Sequence, residues 1–181
     1  MKKIIILFFL IVSCICAFPQ DIFDIKMGSS MDAVVPQIVE MYGGYDSISD
    51  TGVHYFSNLK IDLNGSEFNS ASFTFKEILE GKYLDSIMLC GVPFSLDSYP
   101  EEMAKISEYF ENDEIYRFEF DTVSLIADGI IPYYEINRED DLCLICVFLT
   151  YTDRDGDKDY SLDIIIKCDE EKLYKQRYQE F

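Results

Sequence analysis

Two strand-like runs, residues 142–152 and 160–168, constrain this chain's fold more than any other segment. With a tight turn at Asp155-Gly156, Cys143, Ile145, Val147, Leu149 and Tyr151 face Cys168, Ile166, Ile164, Leu162 and Tyr160. Every pair on that face is apolar. The opposite face matches Leu144 with Lys167, Phe148 with Asp163 and Thr150 with Ser161. This alternation predicts an antiparallel hairpin with one buried face. A one-residue slip would turn the whole apolar set outward. The same register sets Cys143 opposite Cys168, a disulfide candidate. The competing reading is two buried thiols acting as small hydrophobes.

The remaining chain reads as helices and strands in alternation. Met27-Gly28-Ser29-Ser30 offers a turn and a helix N-cap. Met31, Val34, Val35, Ile38 and Tyr42 then fall at helical spacing, and Gly43-Gly44 provides the stop. Pro36 inside this pattern should kink the helix or split it. Strand-like runs follow at 53–61, 68–75 and 83–92, joined by Asn64-Gly65 and by a turn within 79–82. Two tight turns would align Phe56, Phe73 and Met88 in one row, with Asn58, Ala71 and Cys90 beside them. A second helix is expected from Ser98. Ser98 and Glu101 have capping-box spacing, Pro100 fits the first turn, and Tyr99, Met103, Ile106 and Phe110 form the apolar stripe. Further strands are expected at 116–120, 123–126 and 130–136, and residues 169–181 read as a short helix or tail. Trp is absent while Tyr (13) and Phe (14) are abundant, a balance that favours strands.

The N-terminus carries targeting information. Met1-Lys2-Lys3 is basic, residues 4–12 are continuously apolar, and Ser13-Cys14-Ile15-Cys16-Ala17 follows. That layout predicts a secretory signal peptide over residues 1–17. The apolar run is too short for a membrane-spanning helix, which needs about 20 residues. Two processing routes are open. Cleavage after Ala17 places Ile15 three residues back. Alternatively, Ile11-Val12-Ser13-Cys14 forms a relaxed lipobox in which Cys14 receives lipid. Cleavage after Ala17 leaves an even set, Cys90, Cys143, Cys146 and Cys168, which suits an oxidising compartment better than five thiols. The expected location is the periplasm, cell surface or exterior.

The exported portion, residues 18–181, is long enough for one domain with a proper core. Removing Lys2 and Lys3 takes the formal charge from −19 to −21. Such a chain repels phosphate backbones and anionic membrane surfaces; its charge reads first as solubility, and the sharper reading is a basic protein partner. A membrane role would then run only through a lipid anchor.

Motifs that carry chemistry are weak. Cys143-Leu144-Ile145-Cys146 has redox spacing, but on a strand its thiols point to opposite faces and lack a helix N-terminus. No second pair completes a zinc site. An EF-hand loop beginning at Asp153 would need Gly and Glu where Lys158 and Ile164 stand, so 153–159 reads as an acidic turn. His54 is the only histidine, and Ser-His or Cys-His catalysis would depend on it. Its place in a strand, neighbouring Phe75, reads as a partly buried structural residue. No nucleotide-binding fingerprint occurs, and neither a cofactor nor a metal is expected. Paired carboxylates for hydrolysis are available anywhere in a chain this acidic.

The order helix, three strands, helix, about four strands predicts an α+β fold. Two helix-plus-antiparallel-sheet units, about 24–95 and 96–169, pack as one domain. This pattern resembles the β-lactamase-inhibitor-protein-like fold and small outer-membrane lipoproteins of the assembly-machine type. Lys26-Met27-Gly28-Ser29-Ser30-Met31-Asp32-Ala33-Val34 is similar to the opening of those units, and Tyr42-Gly43-Gly44 to their helix ending. The resemblance covers about residues 24–169. It implies a non-catalytic protein that binds another protein through a sheet face. The alternatives are a hydrolase with a carboxylate- or His54-dependent site, and a structural outer-membrane lipoprotein.

Overall fold

The computed structural model describes residues 22–179 apart from 45, 112–115, 120–124, 127–128, 131–132, 139–142 and 155. In the strands between 116 and 138, and at Cys143, Arg154, Glu170 and 176–179, only the backbone is described. The signal-peptide segment and Cys14 lie outside the described residues.

The fold is α+β. The helices are α1 (Met31–Tyr42), α2 (Tyr99–Glu111) and α3 (Glu170–Gln179). The strands are β1 (Ser47–Ile48), β2 (His54–Leu63), β3 (Ser66–Ile78), β4 (Gly81–Gly91), β5 (Tyr116–Glu119), β6 (Leu125–Ile126), β7 (Gly129–Ile130), β8 (Tyr133–Arg138), β9 (Cys143–Arg154) and β10 (Asp157–Cys168). Eight of them form one antiparallel sheet, ordered β1-β2-β3-β4-β10-β9-β8-β5, and β6 pairs with β7 separately. The order therefore runs inward from both edges. The two meanders meet where β4 pairs with β10, Ile87 opposite Ile166 and Leu89 opposite Ile164.

The β9–β10 hairpin has the expected register throughout, from Arg154 opposite Asp157 to Cys143 opposite Cys168. Asn64 (φ +54°) and Gly65 (φ +89°) form the expected tight turn between Leu63 and Ser66. Only residues that tolerate left-handed backbone fit such a turn, whose twist matches the flanking strands.

The expected rows across β2–β4 are corrected. Phe56 pairs with Ala71, not Phe73, because β2 bulges between Ser57 and Ile61, where Asn58 adopts φ +57°. Phe73 pairs with Ile87, not Met88, because the β3–β4 turn is only Leu79-Glu80 and Asp85 is an extra residue on β4. Ala71 accordingly pairs with Leu89, not Cys90. Two core rows result. One runs Phe56, Ala71, Leu89, Ile164, Val147, and the other His54, Phe73, Ile87, Ile166, Ile145. All ten side chains are buried.

The helices close this face. Val34 and Ile38 from α1, Met103, Ile106 and Phe110 from α2, and Leu173 from α3 join the sheet's buried side chains in one cluster. The α1 helix runs unbroken through Pro36, so the expected split does not occur. Its end is as expected, with Gly43 at φ +85° donating its N–H to the Val39 carbonyl at 2.8 Å. The α2 helix starts directly after Ser98, as expected. A 3₁₀ turn (Leu96–Ser98) precedes it, and the Ser98 hydroxyl lies 3.2 Å from that of Ser95. The lead-in is stitched to β4, with Gly28 N–H donating to Leu84 O and Leu84 N–H to Ser29 O, both at 2.9 Å.

Candidate interaction surface

The second face of the sheet is built from the residues between those core positions. Its rows read Ser57, Ser70, Cys90, Asp163, Phe148; then Tyr55, Ser72, Met88, Ile165, Cys146; then Thr74, Ser86, Lys167, Leu144. None of these residues belongs to the helix-covered core cluster. Small hydroxyl side chains dominate the β2–β4 half. Apolar side chains dominate the β9–β10 half, and Leu144, Phe148, Ile165 and Met88 are half-buried. A sheet face that mixes half-buried apolar groups with short hydroxyls can bury area without stranding charges, which is what a protein interface core requires.

Two charged residues do stand on this face, the exposed Lys167 and, nearer its middle, Asp163. Asp163 is only 6 % exposed. It accepts from Gly91 N–H at 3.1 Å and from the Thr150 hydroxyl at 3.0 Å. Burial pushes its carboxyl above the usual range, against the pull of those donors and Ser161. The Cys90 thiol beside it is raised too, by burial first and then by the Asp163 charge, with a Ser70 hydrogen bond opposing. A thiol raised this way is a poor nucleophile.

The other sequence candidates are scattered. His54 is buried on the core face, its ring edge-on to Phe75 with centroids 5.3 Å apart, while its strand partner is Phe73. Cys146 is buried on the second face, opposite Ile165. Cys168 is buried on the core face and its backbone pairs with Cys143. In the 153–159 turn, Asp153 accepts from Gly156 N–H at 3.0 Å. Among the described residues no group of three His, Cys, Asp or Glu side chains could hold a metal, and no helix is long and apolar enough to cross a membrane.

A groove of about 330 Å³ opens at the β2 bulge, lined by Leu59, Lys60, Asp62, Glu67, Asn69 and Val92 among others. Asp62 and Glu67 are direct cross-strand partners there. Asp62 is engaged in the adjacent turn, accepting from Gly65 N–H at 2.8 Å.

Sequence reasoning identified the Phe148–Asp163 and Thr150–Ser161 pairs but missed Gly91 and Cys90 as their neighbours. The signal for Gly91 was its place at the end of a strand, where close backbone approach demands glycine. Compared with known protein families, curated proteins and solved structures, the chain matches none.

Proposed function

We propose that this chain is a non-catalytic exported protein that binds a basic protein partner through the second face of its sheet. The observation that carries this reading is the composition of that face. Met88, Ile165, Phe148 and Leu144 sit half-buried among serines and threonines, outside the helix-covered core. The charge of −19 across the whole chain favours a basic partner over an acidic one. The inward strand order around the β4–β10 seam supports the duplicated-unit reading and, with it, the resemblance to β-lactamase-inhibitor-protein-like folds. The test is capture of partners from an envelope extract by the mature protein and by a Met88→Asp/Ile165→Asp variant of unchanged circular dichroism. A specific partner held by the wild type and lost by the variant supports the proposal. Equal recovery by both, or no specific partner, overturns it.

Export belongs to the same proposal. Residues 1–17 act as a signal, removed after Ala17 or before a lipidated Cys14. Mass analysis of the mature N-terminus decides between a released and a tethered protein.

An oxidising compartment would also join Cys143 to Cys168. The supporting observation is the backbone register. Arg154 and Asp157 close the turn, and strict alternation from that pair makes Cys143–Cys168 a non-hydrogen-bonded pair. Such pairs have Cα atoms about 4.5 Å apart, within disulfide reach. The two thiols lose two protons and two electrons to the disulfide of an exported oxidoreductase, which becomes a dithiol. A peptide linking both cysteines in unreduced digests supports the bond, and both thiols alkylated without reduction would overturn it.

A further inference from the structure

Asp163 sits at the seam where the two meanders meet, and the seam is irregular there. Cys90 pairs with Asp163 and Phe94 with Tyr160. Three residues of one segment therefore oppose two of the other. Such a bulge leaves a backbone N–H without a strand partner. That group is Gly91 N–H, and Asp163 Oδ1 accepts it at 3.1 Å.

The other contacts involve hydroxyls. Thr150 Oγ1 lies 3.0 Å from Asp163 Oδ2 and 2.8 Å from Ser161 Oγ. Ser161 Oγ lies 3.4 Å from Asp163 Oδ1. Each hydroxyl has one hydrogen to give and can rotate it. With the carboxylate ionised, Thr150 donates to Oδ2 and Ser161 donates to Thr150. With Oδ2 protonated, its hydrogen points to Thr150, Thr150 donates to Ser161, and Ser161 turns to Oδ1. Gly91 donates to Oδ1 in both states. Neither state leaves a polar atom of the cluster without a hydrogen bond.

We propose that Asp163, Thr150 and Ser161 form a reversible proton switch on the β4–β10 seam, in which protonation of the carboxyl reverses the hydroxyl hydrogen bonds while the sheet stays assembled. The middle of the second face then loses a negative charge on acidification without loss of fold. Among the described residues, the titratable groups sharing this face near Asp163 are Cys90 on β4, Cys146 on β9 and Lys167 on β10 itself. The other neighbours on β9 and β3, namely Phe148, Thr150 and Ser70, do not titrate. Burial acts in the direction the switch needs, holding the carboxyl above the usual range.

The test follows the Asp163 side-chain carboxyl carbon by NMR in the full mature protein as pH falls, with Asp163→Asn assigning the signal. The expected midpoint lies above that of an exposed aspartate, about 3.9. Signals of Gly91 and Thr150 stay dispersed through it. Thr150→Val moves the midpoint further up, because the ionised form loses a donor, and Thr150→Ser restores it. A midpoint at or below the exposed value, collapse of the Gly91 signal with the titration, or no response to Thr150→Val would each overturn the switch. If Thr150→Val does not fold, Thr150→Ala, which removes the same donor, gives the same upward shift, and its absence counts equally against the proposal.

Discussion

Gly91 lies so close to β10 that a Cβ placed on it would stand 2.3 Å from the Leu162 carbonyl oxygen, while its N–H reaches Asp163 Oδ1 at 3.1 Å. Backbone meets backbone here, so no rotamer change relieves the clash. Gly91→Ala is expected to cost about 2–3 kcal/mol by forcing the seam apart. Urea unfolding measures it, and an unchanged midpoint would show that the seam adjusts without strain.

Leu79 holds φ +55° at the β3–β4 turn and is 48 % exposed. Left-handed backbone costs an L-residue about 1–2 kcal/mol, and this side chain buries little in return. Leu79→Gly should therefore raise stability by about 1 kcal/mol, despite the extra freedom glycine gives the unfolded chain. Thermal melting checks the direction.

Ile165 and Ile166 are sequence neighbours on opposite faces. Ile166 is buried in a core row, whereas Ile165 is half-buried on the second face. Ile166→Ala is expected to cost about 2–5 kcal/mol and Ile165→Ala markedly less. Equal losses in denaturant would contradict the assignment of faces.

Asp169 caps α3. Its Oδ1 accepts from Lys172 N–H at 3.0 Å, and the Lys172 ammonium lies 3.3 Å from Oδ2. That amide, foremost, and then the ammonium hold its carboxyl below the usual range. The folded-state value is depressed, so the stabilisation is present above the ordinary aspartate pKa. It is lost as pH falls through the lower folded value. Asp169→Ala should cost about 1 kcal/mol at neutral pH and progressively less in acid. Comparing unfolding of wild type and variant across pH 7 to 2 reads this directly; a constant difference would remove the carboxylate from the account.

Local chemistry determined much of this fold. Strict period-two alternation beside Asp155-Gly156 specified the β9–β10 register from end to end. Asn64-Gly65 specified its turn, and the spacing of Val34, Ile38, Met103, Ile106 and Phe110 specified which helix faces are buried. These signals sit within a few residues of what they control, so one segment suffices to read them. The bulges at Ser57/Ile61 and Asp85 were decided only in the assembled sheet. An extra residue is tolerated where the partner strand and the twist accommodate it, and the segment alone carries no mark of it. That is why Met88 and Cys90 lie on the second face while Ile87 and Leu89 fill the core. The β4–β10 seam lies further still from local reading. Gly91 and Asp163 are 72 residues apart. Their meeting follows from which pairing buries the most apolar surface across the whole chain, and the bulge amide that Asp163 satisfies exists only after that pairing has formed.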